Sequence, residues 1–240
     1  IMKVFSELRC NRTAKVTRVI MLKPHLFILL IAVFLISLKA QWANDDKLLV
    51  GAEQYQRYLP LIKNKRIGVI VNQTSRVHYQ HLVDFLLAKG EKVSVIFAPE
   101  HGFRGTADAG EKVKDGIDTK TNLPIVSLYG KNRKPSKEHL EGIDVMIFDI
   151  QDVGARFYTY ISSLHYVMEA CAEAKIPLLI FDRPNPNGHY VDGPILETEH
   201  KSFVGMHPIP VVHGMTIGEY AKMINGEKWL KNGVQCELKV

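Results

Sequence analysis

The chain has 240 residues, 23% of them charged and 46% hydrophobic, with a formal net charge of +6, which is enough chain for one domain with a sizeable core. The positive excess lies in the first 40 residues, where Lys3, Arg9, Arg12, Lys15, Arg18, Lys23 and Lys39 face a single acid, Glu7. Residues 41–240 are balanced in charge, so the basic clustering of a nucleic-acid binder is missing, and three cysteines without a Cys-x-x-Cys give no disulfide framework.

In chain order, the first feature is an apolar run from Leu26 to Leu38, preceded by Lys23 and followed by Lys39, Ala40 and Gln41. A short basic region, a short apolar core and a small residue form the signal-peptide pattern. The run has 13 residues, fewer than the roughly 18–20 a membrane-spanning helix needs. Residues 1–40 are therefore read as an upstream segment plus signal peptide, with Met21 as the start, and the protein is expected to be exported, periplasmic or secreted. An uncleaved anchor is the alternative reading. No Cys follows the run, which argues against a lipid-modified N-terminus.

From residue 41 onward, strand-like and helix-like segments alternate. Arg66–Val71, Lys92–Ala98, Pro124–Leu128, Asp144–Ile150 and Pro177–Phe181 read as short apolar strands, and Ile209–Val212 as a sixth. His81–Ala88 reads as a helix stopped by Gly90, and Lys137–Leu140 as one helical turn. Ile161, Leu164, Met168 and Cys171 recur at 3-4-3 spacing and place a helix face against the core. Such a Cys is a core thiol rather than a ligand. Thr216 caps a helix that runs to Asn225, with Gly226 as its stop. This alternation predicts an α/β fold, a Rossmann-like, mostly parallel sheet with helices on both faces, over residues 41–226. The alternation of Val234, Cys236, Leu238 and Val240 reads as a strand opening a smaller C-terminal domain over 227–240, cut off within it.

Polar, Gly- and Pro-punctuated loops follow five of these strands. They begin at Asn72, at Glu100-His101, at Asp149 to Asp152, at Asp182-Arg183 and at His213. In a parallel sheet they share one carboxyl edge, where open α/β sheets bind ligands. Glu100, directly after a strand and Pro99, is poised over a cleft and suits general-acid work. Its alternative is a turn residue or an ion pair with Arg104. Asp149 and Asp152 form a second acidic focus, although Asp149 could simply cap a helix. Arg104 and Arg156 could fork onto a ligand carboxylate or pair with Asp149, Asp152 or Asp182. Tyr158 and Tyr160 could stack on a sugar or sit buried. His101, His213 and the aspartates lack a recognised ligand spacing, so no metal or cofactor is expected. No Gly-x-Gly-x-x-Gly, P-loop or Gly-x-Ser-x-Gly occurs, which disfavours dehydrogenases, NTPases and nucleophile-elbow hydrolases.

Four strings together resemble one family. They are Val71-Asn72-Gln73-Thr74-Ser75, Pro99-Glu100-His101-Gly102-Phe103-Arg104-Gly105, the stretch from Asp149 through Asp152 and Arg156 to Tyr160, and Asp182-Arg183-Pro184-Asn185-Pro186. They resemble the NamZ-like exo-β-N-acetylmuramidases over about Gly51 to Leu230. The resemblance implies a Rossmann-like catalytic domain followed by a smaller one, and exo-hydrolysis of terminal β-linked N-acetylmuramic acid from peptidoglycan fragments. It implies Glu100 as acid/base, with Asp152, Asp149 or Tyr158 as partner, or the substrate's acetamido group as nucleophile. Asn72, His101, Arg104, Asp149, Arg156, Tyr160, Asp182 and His213 are the expected substrate contacts. Expected partners are muramic-acid saccharides, with no nucleic acid and no stable membrane span after signal removal. Two other readings are a metal-assisted hydrolase using Asp149, Asp152, His101 and His213, and a non-catalytic periplasmic module that binds cell-wall sugars.

Overall fold

The computed structural model describes residue 31 and residues 48–105, 114–130 and 132–240. The chain divides into two units, Ile1–Leu48 and Leu49–Val240. The signal-like run falls in the first unit and, Ile31 apart, lies outside the described residues. No described helix is long and apolar enough to cross a membrane.

In chain order the strands of the second unit are β1 (Arg66–Val71), β2 (Arg76–Val77), β3 (Gln80–His81), β4 (Lys92–Ala98), β5 (Gly116–Ile117), β6 (Pro124–Ser127), β7 (Val145–Asp149), β8 (Leu178–Ile180) and β9 (Leu238–Lys239). Seven of them form one sheet in the order β5-β6-β4-β1-β7-β8-β9, and β2 and β3 form a separate ribbon. All pairings in the large sheet are parallel except β5 with β6. Without β5, the order is that of a doubly wound Rossmann sheet. The central strands are buried on both faces, which is why they read as unbroken apolar runs rather than alternating ones.

Two apolar layers cover the faces. The helices are α1 (Tyr55–Ile62), α2 (Leu82–Ala88), α3 (Tyr160–Ala174) and α4 (Ile217–Gly226). Ile67, Val69, Val71 and Ile147 pack with Tyr58, Ile62, Leu82 and Leu86 of α1 and α2. Ile70, Phe97, Met146 and Phe148 pack on the opposite face with Ile161, Leu164, Met168 and Cys171 of α3 and Ile217, Tyr220 and Ile224 of α4. The 3-4-3 stripe is thus the buried face of α3. Each fully buried large side chain contributes roughly 1.5–3 kcal/mol. The helix ends follow local chemistry. Thr216 and Glu219 form a capping box at the start of α4, and the α3 exit is a left-handed Lys175.

Three features differ from expectation. Ile209–Val212 adds no strand to the sheet: Val212 makes isolated bridges to Ala155 and Asp192. Pro210 removes a backbone donor within that segment and Pro208 another just before it, so it cannot sustain a ladder. The sixth parallel strand is instead β9, paired with β8. Residues 227–240, expected to open another domain, therefore complete this sheet within the same unit. Helix α1 was not anticipated, because Pro60 lies inside it and reads locally as a break.

Candidate active site

Strand β1 is flanked by β4 and β7, and the chain winds outward from it in both directions. The loops after β1 and β7 therefore part, leaving the crevice where doubly wound sheets bind ligands. An open cleft of about 450 Å³ occupies that position. Its lining comes from Gln73 and Thr74 after β1, Glu100 and His101 after β4, and Gln151, Val153 and Phe157 to Tyr160 after β7.

The three loops are tied to one another. The Asn72 backbone N–H donates to Ser75 Oγ at 3.0 Å, and that hydroxyl donates to the Asp149 carbonyl. Asn72 Oδ1 accepts from Thr74 N at 2.9 Å and from Thr74 Oγ1 at 2.6 Å. Thr74 Oγ1 accepts from Gln151 N at 3.0 Å, joining the first loop to the third. Two glycines permit the close packing. A Cβ on Gly105 would lie 2.8 Å from Gln73 Cβ, and one on Gly154 would lie 2.2 Å from Asn185 Oδ1. Both glycines have left-handed φ, +69° and +76°, which an L side chain adopts only with strain.

Glu100 is half-buried at the cleft wall. Its charge, and a hydrogen bond donated by the Tyr129 hydroxyl, push the Tyr129 phenol up. Burial pushes the Tyr160 phenol up as well, reinforced by the charges of Glu100 and Asp152. A hydrogen bond with the Asn72 side chain works against that rise. Asp152 itself is buried, with Oδ2 accepting from Gly154 N at 2.8 Å. His213, also buried, directs Nε2 toward Asp152 Oδ2 at 3.5 Å. Phe157 and Tyr158 are 57% and 48% exposed, their ring centroids 5.7 Å apart, and offer aromatic surface at the rim.

Of the expected site residues, the structure places Glu100, His101, Tyr158 and Tyr160 in the cleft, and Asn72, Asp152 and His213 buried around it. Four others are hydrogen-bonded to the protein itself. Asp149 is fully buried and accepts from Arg183 Nε at 2.6 Å and Nη2 at 3.0 Å. Burial raises its carboxyl to about 6, against the pull of Arg183. Asp182 accepts from Thr216 Oγ1 at 2.7 Å and Gly218 N at 2.8 Å, anchoring the start of α4. Arg156 donates to the carbonyls of Pro194, at 2.8 Å, and Ile209. Arg104 donates to Asp118 at 3.0 and 2.8 Å and reaches Asp84, in a separate cleft beside the β2–β3 ribbon.

The candidate metal ligands Asp149, Asp152, His101 and His213 do not converge as one set. Among the described residues, the cluster with ligand atoms in mutual reach is the exposed trio Glu197, Glu199 and His200. Sequence reasoning passed over Gln73, Thr74, Gln151 and Phe157, which stand in the quoted strings but carry no ionisable group. It also missed Tyr129, whose position just after β6 on the same edge was the available signal.

Residues 67–240 match a family model described as exo-beta-N-acetylmuramidase NamZ, N-terminal. Over 193 residues the chain is 48% identical to the peptidoglycan beta-N-acetylmuramidase NamZ of Bacillus subtilis (strain 168), covering 79% of this chain and 47% of that protein. Crystal structures of two DUF1343 family proteins from Bacteroides fragilis NCTC 9343 are similar to it, each with a TM-score of 0.73 and 80% of this chain covered. They are 52% and 38% identical, over 50% and 48% of their own lengths. The chain spans about half the length of the relatives it matches. With long motifs in order, a shared fold and a cleft at the expected edge, the chain belongs to the NamZ family and corresponds to its N-terminal part.

Proposed function

We propose that this chain carries the acid-bearing part of an exo-acting glycoside hydrolase that releases terminal N-acetylmuramic acid from peptidoglycan fragments during cell-wall turnover. The observation that carries the reading is a carboxylate, Glu100, set in an open cleft at the switch point whose lining also includes exposed aromatic rings. A sugar ring needs apolar surface for its faces and polar groups for its hydroxyls, and this lining supplies both. Glu100 is the proton donor to the leaving oxygen, with the Tyr129 hydroxyl fixing its carboxylate. Phe157 and Tyr158 face the ring, and Thr74, His101 and Gln151 supply polar contacts. The relative from Bacillus subtilis, described as a peptidoglycan beta-N-acetylmuramidase, supports the substrate class.

The test is Glu100→Gln in the full-length protein, assayed on a chromogenic muramic-acid glycoside. Turnover is expected to fall by about 10²–10⁴-fold, the usual contribution of a general acid, with the melting temperature unchanged. Full turnover would remove Glu100 from the mechanism. Sugar-induced thermal stabilisation of the wild type without product would make the protein a binding module instead.

Export belongs to the same reading and rests on the Lys23 to Gln41 pattern. Sequencing the N-terminus of protein recovered outside the cytoplasm is expected to begin near Gln41. A cell-associated protein that retains residues 21–40 would overturn it.

A further inference from the structure

Cys171 and Cys236 stand far apart in the sequence and share one apolar layer of the fold. Cys171 belongs to the buried stripe of α3, and Cys236 lies two residues before β9. Both are buried free thiols, 0% and 5% exposed. Neither lines the cleft described above.

The backbone brings them together. Leu178 of β8 pairs with Leu238 of β9 in parallel register, and Leu178 N donates to the Glu237 carbonyl at 2.8 Å. Two residues back along each chain, that register sets Cys236 level with Ile176. Ile176 N in turn donates to the Cys171 carbonyl at 3.0 Å. Asn225, near the end of α4, holds Cys236 from the other side. The Cys236 N–H donates to Asn225 Oδ1 at 3.0 Å, and its carbonyl accepts from Asn225 Nδ2 at 2.8 Å. The two thiols hydrogen-bond to each other. A disulfide needs two backbones already near one another with their side chains converging, and this arrangement supplies both.

A buried thiol pair is inert in a reducing compartment, whereas the Lys23 to Gln41 pattern points to an oxidising one. We infer that Cys171 and Cys236 form a disulfide in the exported protein, a staple between α3 and the strand at the edge of the sheet. The inference rests on the export reading above and is independent of the glycosidase one. The oxidant is itself a disulfide, that of a dithiol–disulfide oxidase or of oxidised glutathione. β9 pairs with β8 over two residues at the sheet edge, so it frays readily and exposes Cys236. The Cys236 thiolate attacks the oxidant's disulfide, forming a mixed disulfide and releasing one thiol. Cys171 then displaces the second thiol and closes the Cys171–Cys236 bond. Two electrons pass from the cysteines to the oxidant, and the two cysteine protons end on the thiols released. The bond closes a loop of 64 residues that carries Asp182, His213 and α4, and a cross-link over a long loop restrains the unfolded chain strongly.

The experiment refolds the full-length protein with oxidised glutathione and, separately, recovers the protein from outside the cytoplasm. Each sample is denatured without reductant, alkylated and mapped by mass spectrometry. A peptide joining Cys171 to Cys236, with neither thiol labelled, is expected in both. The linked protein should melt a few degrees above the same protein after reduction, and Cys236→Ala should show no such response to reductant. A linked protein that melts below its reduced form has a native fold that rejects the bond, and the inference fails. It fails equally if both cysteines are labelled in the refolded or in the exported sample. A protein that never leaves the cytoplasm overturns the export reading alone when the refolded sample is linked, and both when it is not.

Discussion

The loops that line the crevice and those beyond β8 carry the same kinds of residue and use them in opposite ways. After β1, β4 and β7, Glu100, His101, Tyr158 and Tyr160 turn toward an open cleft. Beyond β8, Asp182 anchors α4, Arg183 closes on Asp149, and Asn185 donates to the Met215 carbonyl at 2.9 Å. Both regions are rich in Asp, Arg and Asn at strand ends, and both resemble a site in the linear sequence. What separates them is where the polar groups lie: beyond β8 they close on the protein interior, whereas after β1, β4 and β7 they line an open space that a ligand can enter.

The strongest way to break this comparison is Arg183→Met. It would leave the Asp149 carboxylate buried and uncompensated, which typically costs about 3–5 kcal/mol. Urea unfolding should show that loss, whereas Glu100→Gln should show none. Adding Asp149→Leu to Arg183→Met removes both charges and is expected to recover most of the stability. If Arg183→Met were instead stable but inactive, the pair would belong to the site and the division between the two regions would fail.

A smaller effect sharpens the other side. Tyr158 is half exposed at the rim, held by its backbone N–H to the Ala155 carbonyl at 2.9 Å. Tyr158→Ala should raise KM several-fold, equivalent to about 1 kcal/mol of aromatic contact, while kcat and thermal stability stay close to wild type. A fall in stability without a change in KM would make Tyr158 a packing residue.

Much of the scaffold was legible because burial on both faces leaves an apolar signature that needs no partner to be recognised. β1, β4 and β7 and the α3 stripe are of this kind. Strand β9 was legible as a strand but not as a member of this sheet, since its pairing with β8 is set by the path of the chain between them. Glu100 was visible from its place after an apolar strand. The fate of Arg104, Arg156 and Asp182 was not. Arg156 spends its guanidinium on backbone carbonyls of Pro194 and Ile209, whose sequence bears no mark of that bond. Distant pairings of this sort decide between scaffold and site, and no local spacing encodes them.

Arg104 gives the finest version of the same contrast, because it stands four residues from Glu100 in one continuous string. Its guanidinium holds the Asp118 carboxyl down to about 2, chiefly through hydrogen bonds and against the opposing effect of burial. An unfolded aspartate titrates near about 3.9, so the folded state binds the Asp118 proton more weakly. The pair then stabilises the fold above about pH 4, and that contribution is lost as pH falls from about 4 toward 2. Arg104 is 29% exposed, so the effect should be about 1 kcal/mol or less. Asp118→Asn is expected to be slightly less stable than wild type near neutral pH, with the two unfolding curves converging in acid. Parallel curves would mean that Arg104 is not spent on Asp118, and would return it to the residues available for an anionic ligand.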